Sequence, residues 1–487
     1  MEGKPGTRAK WAFSPLDQIM PAIEETALLT FSMPSMTEAS KNKTVEILTK
    51  ALTVMCADMP FLLDRIVREH EPTSGLRLGL LKWERPVQQR QPIPLIVNDM
   101  TTSSTKHQWK HSYKELVKAG MPSSLLGRET LGPPMSTEQA PLVIQANFIP
   151  GGCLLFVLSS HVFCDAWGFW VMCDLLAKYC RRVQCLSVEK PAEENLSGSL
   201  GFGEASLSGE SSGADYEELK QRPELWQMLG LDWRPKEQSW GVLLSQLSPP
   251  KAVRTCIFAL DPISLSKLKD EASAGPTEEH SGRISTNDAL IALLWRCILK
   301  VRVAGGRQMF LSEVETMHMV AMNARQQLSP PIPHSYPGNV VLYSMARLSI
   351  DLITAPDTPL FMVSRAVRQS LDANRDPQLI RDAVDLAASI PNIRQLGLAF
   401  PTWLAENLVT SSISGIPFYD LDFGETFGET KKADFFRYPK GGFEGLCFMM
   451  PRQRNGVVEL FVSMEASQMD GLIQDEQFSR YAKFVAE

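Results

Sequence analysis

The sequence predicts a mixed α/β (α+β) protein of two domains, and three observations carry that expectation. A chain of 487 residues is longer than one hydrophobic core usually organises. Short apolar runs of strand length alternate with helical periodicity on both sides of the middle of the chain. Between about Glu189 and Gly213 the composition changes to Ser, Gly and Glu with no apolar period, which marks a flexible crossing segment. The expected division is 1–188 for the first domain, 189–235 for the crossing segment and 236–487 for the second domain.

The elements follow in order. Leu142 to Ile149 and Leu154 to Leu158 are apolar runs joined by the turn residues Pro150-Gly-Gly152, so they read as two neighbouring strands. From Ala166 the apolar side chains at 169, 170, 173, 176, 177 and 180 keep a helical period that ends in Arg181-Arg182. Ser159 to Asp165 therefore lies where a buried strand hands over to a helix, a common place for ligands in mixed α/β folds. In the second half, Ser285-Thr-Asn-Asp288 supplies cap residues, and Leu290, Ile291, Leu294, Ile298 and Val301 follow at helical spacing. Asn339 to Tyr343 reads as a strand, Leu360 to Leu371 as a helix, and Val457 to Val462 as a late strand after an Asn-Gly turn.

Composition narrows the function. Forty-nine basic against 55 acidic residues leave a net charge of −6, which argues against a nucleic-acid binder or a basic membrane-surface protein. No apolar run approaches the ~18–20 residues of a bilayer span, and the polar start Met-Glu-Gly-Lys-Pro-Gly lacks a signal-peptide core. Nine cysteines without paired spacing, several inside apolar runs, indicate a reduced intracellular protein. No Walker A loop is present. Gly201-Phe-Gly203 lacks a third glycine and a preceding strand, and Gly209-Glu-Ser-Ser-Gly213 sits in the low-complexity stretch instead of a nucleophile elbow. No His/Cys group has zinc spacing.

What remains is His161-Val-Phe-Cys-Asp165 at the strand-to-helix handover. Alone, the pair is equally compatible with a core histidine satisfied by a backbone carbonyl. Its location adds chemistry: a histidine at a strand end can point into a cleft, and an aspartate four residues on can turn inward and brace the loop. A neutral imidazole, titrating near pH ~6.5, can take a proton from a hydroxyl or amine and later return it to a thiolate leaving group. Acyl transfer from a thioester needs little more than positioning, that proton transfer and support of the oxyanion.

Five motifs in order over nearly the whole length resemble the BAHD acyltransferases of the CoA-dependent acyltransferase superfamily. The likeness is closer to their fungal branch, typified by trichothecene O-acetyltransferase-like proteins. The motifs are Leu16-Asp-Gln18, His161-x-x-x-Asp165 with Gly168, and Ser285-Thr-Asn-Asp-Ala-Leu-Ile-Ala-Leu-Leu-Trp-Arg296. They continue with Asn323-Ala-Arg325 running to Pro330-Pro-Ile-Pro333 and Tyr336-x-Gly-Asn339, and end with Tyr419-x-x-Asp422-Phe-Gly424.

The resemblance implies two chloramphenicol-acetyltransferase-like domains with a channel between them. His161 would be the general base in mid-channel, and Asp165 would turn away and pair with Arg325. Asp422, Phe423 and Gly424 would be a structural motif away from the chemistry, and Ser411 and Ser412 would line the CoA side. No catalytically bound cofactor and no metal are implied; acetyl-CoA or another acyl-CoA is the cosubstrate. The acceptor would be a hydroxyl of a secondary metabolite such as a terpenoid, alkaloid or polyketide, and the protein a cytoplasmic monomer without nucleic-acid or membrane partners. Ala166 stands where the motif often has Gly, Trp167 adds a large ring, Gln327 replaces a second arginine, and the last motif runs Asp422-Phe-Gly-Glu-Thr-Phe-Gly428. Ser160 before His161 disfavours condensation domains of peptide synthetases, which usually carry a second histidine there. N-acylation, transfer from a carrier-protein thioester and a non-catalytic binding protein stay open as alternatives.

Overall fold

A computed structural model of the chain describes residues 12–33, 35–69, 77–86, 94–101, 109–134, 139–185, 207, 215–233, 252–276, 283–305, 315–399, 407–439 and 442–487. Most of the Ser/Gly/Glu-rich stretch, with Gly201, Gly203, Gly209 and Gly213, lies outside these residues. The main strands are β1 (Glu24–Ser32), β2 (Leu95–Asp99), β3 (Val143–Ile149), β4 (Gly152–Ser160), β5 (Val253–Leu260), β6 (Glu315–Asn323) and β7 (Val341–Ser349), followed by β8 (Leu408–Ser412), β9 (Phe435–Arg437), β10 (Leu446–Met449), β11 (Val458–Glu465) and β12 (Lys483–Ala486). The helices that matter for the site are α1 (Pro15–Ile19), α2 (Glu38–Asp58), α3 (Ala166–Cys185), α4 (Thr286–Ala304), α5 (Leu360–Ala373) and α6 (Pro377–Ser389). The mixed α/β class is thus what the chain adopts.

Two sheets carry the architecture: a five-stranded one in the order β9-β1-β4-β3-β2 and a seven-stranded one in the order β7-β6-β8-β10-β11-β5-β12. The expected hairpin is β3 and β4, antiparallel with Val143 opposite Leu158 and Ile149 opposite Gly152. Gly151 takes a φ of +84° in its turn, a conformation open to glycine. β4 is buried on both faces, which explains its unbroken apolar run. Cys153, Leu155 and Val157 face the large core shared with α2 and α3, whereas Leu154, Phe156 and Leu158 face a second cluster with Tyr113 and Leu116. Side-chain alternation along a strand produces this division.

Chain order and sheet membership differ in one place. β9 comes from the far C-terminal part of the chain yet pairs with β1 in the five-stranded sheet. Asp434, just before it, accepts from the Ser32 amide at 2.8 Å and from the Tyr113 hydroxyl at 2.7 Å. Within the expected crossing segment, residues 215–233 form helices Tyr216–Leu219 and Pro223–Leu229 and a strand, Leu231–Trp233, paired with Leu396–Leu398. Leu219, Leu225, Met228 and Leu229 are buried, and the second of these helices packs on α6. Hydrophobic docking therefore orders a part of the chain whose flanks are polar. No helix among the described residues is long and apolar enough to cross a membrane.

Candidate active site

A cavity of about 440 Å³ lies between the two sheets. The pleat decides who lines it. In the seven-stranded sheet the odd residues Met319, Ala321 and Asn323 of β6, Val341 and Tyr343 of β7, and Val409 and Ser411 of β8 face inward. The five-stranded sheet contributes Glu25, His161 just past the end of β4, and Phe436. The wall is mostly apolar, with a few polar groups converging on it, as in small-molecule sites generally.

His161 is held by its backbone. Its amide donates to the Ile23 carbonyl at 2.8 Å, and its carbonyl accepts from Asn339 Nδ2 at 2.9 Å. The ring is 13% exposed; Nε2 sits 3.1 Å from Glu25 Oε1, while Nδ1 is buried with no hydrogen-bond partner. Nε2 is therefore the nitrogen available to a ligand. Asn339 also donates through Nδ2 and its amide to Asp17 Oδ1, both at 2.8 Å. Asp17 in turn accepts from the Ser14 amide at 2.8 Å in the capping box that starts α1. Burial pushes the Asp17 carboxyl up to about 6, against the hydrogen bonds from Asn339 and Ser14.

Asp165 stands in the cavity wall, and its carboxylate is saturated. Arg325 grips it with Nη1 to Oδ2 at 2.8 Å and Nη2 to Oδ1 at 2.9 Å. The amides of Gly168 and Val340 donate to the same carboxylate, each at 2.9 Å. The Gly168 bond satisfies an otherwise orphaned amide in the first turn of α3. Arg325 also donates to the Gly338 carbonyl at 2.7 Å, so Asp17 and Asp165 together clamp residues 336–340 of the second half onto the first. Gly168 makes the clamp possible, because a Cβ there would overlap the Pro337 carbonyl oxygen. Replacing Gly168 with Ala forces the two backbones apart and is expected to destabilise the protein by about 1–3 kcal/mol, checked by urea unfolding.

The remaining expected site residues fall in two places. Ser411 and Ser412 line the cavity, with Ser412 Oγ 3.1 Å from Ser414 Oγ. Asp422, Phe423 and Gly424 lie outside its wall. The fully buried Phe423 ring packs on Phe31 at 5.3 Å and Phe427 at 5.2 Å, and its carbonyl accepts from Gln184 at 2.7 Å near the end of α3. Gly424 has a φ of +86° and no room for a Cβ beside Gln184. Trp167 lines the cavity and bridges the halves, its Nε1 donating to the His334 carbonyl at 2.8 Å. Cys164 is buried, and its burial pushes the thiol well above the ordinary range, so it is no nucleophile. Glu25 is the polar residue that sequence reasoning missed. Its only local signal is an acid at an apolar strand's start; the partner histidine is far along the chain.

Comparison with known proteins agrees with this architecture. The Transferase family matches residues 129–479, and the trichothecene 3-O-acetyltransferase-like N-terminal domain matches residues 26–180. An eremophilane O-acetyltransferase, ORF8, of Penicillium roqueforti is 30% identical over 97% of this chain and 98% of its own. A second, prx11 of Penicillium rubens, is 30% identical over 96% and 98%. The crystal structure of F. graminearum TRI101 with coenzyme A and deoxynivalenol superposes with a TM-score of 0.80 at 20% identity, covering 97% of this chain and 99% of that one. That likeness establishes the two-domain fold.

Proposed function

The chain belongs to the Transferase (BAHD) family, and from that premise we propose that it transfers an acetyl group from acetyl-CoA to a hydroxyl of a secondary metabolite. It is accordingly an acyltransferase, with coenzyme A thioester as cosubstrate and a small-molecule acceptor. The observation that carries the reading is His161 in the wall of a cavity between the two sheets, with Nε2 3.1 Å from Glu25 of the same wall. The named relatives support O-acetyl transfer, and the two eremophilane O-acetyltransferases favour a terpenoid acceptor over an alkaloid or polyketide.

In the proposed reaction the acceptor hydroxyl gives its proton to His161 Nε2 as its oxygen bonds to the thioester carbonyl carbon. The tetrahedral intermediate collapses by breaking the carbon–sulfur bond, and the imidazolium returns the proton to the departing thiolate. The products are an acetyl ester and free CoA, with no covalent enzyme intermediate. Asp165 acts through geometry alone, since all its acceptor capacity is spent on Arg325 and two amides. Ser411 and Ser412 form the donor side of the cavity, and Asp422 to Gly424 brace the fold. The protein works as a monomer of two lobes divided near 1–188 and 236–487, except that β9 joins the first sheet and residues 215–233 dock on the second half.

The test is acceptor-dependent release of CoA thiol from acetyl-CoA across terpenoid, alkaloid and polyketide alcohols, with products identified by mass. One acetyl ester per thiol released is expected. Thiol release that requires an acyl-carrier-protein donor, or an amide product, would replace O-acetyl transfer from CoA.

A further inference from the structure

Glu25 is an acidic group of the cavity to which the proposed reaction assigns no task. β1 opens with two successive acids that leave the strand on opposite faces. Glu24 pairs with Arg128, whereas Glu25 enters the cavity, where His161 is its only ion-pair partner among the described residues. Its side chain is 20% exposed and sits among apolar wall residues such as Ile23, Phe436 and Ile413. Burial, with the charges of Glu25 and Asp165 added, pushes the Tyr343 phenol up to about 12; burial and Glu25 raise Tyr438 as well. A carboxylate set in a mostly apolar wall is best satisfied by hydrogen-bond donors. His161 Nε2 lies 3.1 Å from it as an ion-pair neighbour, and no described residue donates a hydrogen bond to the carboxylate.

The donors must therefore come from the bound molecule. Nδ1 is buried, so an acceptor hydroxyl can reach only Nε2, and it must find a lone pair there. The acceptor hydroxyl gives its proton to Nε2 and so leaves Glu25 without a donor. A hydroxyl placed ~2.8 Å from Nε2 by an ordinary hydrogen bond lies beside the Glu25 carboxylate. A second polar group one or two carbons away on the same molecule therefore reaches it.

We infer that Glu25 is a specificity-determining residue that recognises a second hydrogen-bond donor, a hydroxyl or an amine, carried one or two carbons from the hydroxyl that is acylated. This rests on the acyl-transfer reading of the site and narrows its acceptors to diols and amino alcohols on an apolar skeleton. A mono-alcohol, whose single proton goes to Nε2, leaves the carboxylate unsatisfied, and such sites discriminate strongly against analogues lacking the donor.

Three probes on one bicyclic terpenoid skeleton test it: a 1,2-diol, the mono-alcohol lacking the second hydroxyl, and the 1,2-amino alcohol. With acetyl-CoA, the wild-type protein is expected to favour the diol over the mono-alcohol by on the order of 10- to 100-fold in kcat/KM. Glu25→Leu should bring that ratio close to one, and Glu25→Gln, which keeps an accepting oxygen, should leave it intermediate. A wild-type preference for the amino alcohol over the diol would identify the donor as an ammonium and support the inference. Equal kcat/KM for diol and mono-alcohol in the wild type overturns it. So does an equal loss for both in Glu25→Leu, which would make Glu25 a positioning residue for His161. Binding of the same probes, followed by tryptophan quenching at Trp167, decides the matter even where acetyl transfer fails. Tighter binding of the diol that disappears in Glu25→Leu supports recognition, and equal binding of diol and mono-alcohol overturns it.

Discussion

Replacing His161 with Ala is expected to lower turnover by about 10²–10⁴-fold, the usual contribution of a positioned general base. Stability should change little. The ring contributes one unsatisfied buried nitrogen and one contact with Glu25, while the backbone bonds to Ile23 and Asn339 do not involve the side chain. The measurement is acceptor-dependent thiol release beside a urea melt and CoA binding by calorimetry. Near-normal turnover would remove His161 from proton transfer. A collapsed melt would instead make the residue structural.

Asp165→Asn is expected to act by a different route. The carboxylate accepts four hydrogen bonds: two from Arg325 and one each from the Gly168 and Val340 amides. An amide side chain keeps one accepting oxygen and turns an NH₂ toward donors. The fully buried Arg325 guanidinium then loses much of its counter-charge. Breaking such a buried pair costs about 3–5 kcal/mol, far more than an exposed ion pair contributes. Unfolding in urea should move accordingly, and activity should fall with the order of the His161 loop. Adding Arg325→Met to Asp165→Asn should cost less than the sum of the two single changes, because the second removes the charge the first left unpaired. Full additivity, or a stable Asp165→Asn protein that is inactive, would contradict a purely structural role.

Much of the fold was legible from local pattern. The β3–β4 hairpin followed from two apolar runs around Pro150-Gly-Gly152, and α4 from the Ser285/Asp288 capping box ahead of a helical period. His161 was legible because it follows the apolar run Leu154 to Leu158 at the handover from strand to helix. The ordered residues 215–233 were less so, since their few leucines lie between polar flanks and become meaningful only against α6. Glu25, the Asp17–Asn339–His161 connection and the Trp167–His334 bridge were not legible as contacts. Each joins residues from distant parts of the chain, and no local periodicity encodes which distant atom a side chain will meet.

The amino-acid sequence by itself determined the elements, the buried faces of the strands and the placing of an imidazole and a carboxylate at a strand-to-helix junction. Those depend on backbone propensity and on the spacing of apolar side chains over a few turns. Only the tertiary structure decided that β9 returns to the first sheet, that residues 336–340 are clamped by two aspartates, and that Glu25 meets the histidine. These contacts arise when the two sheets close on one another, and their free energy depends on burial that no isolated segment possesses.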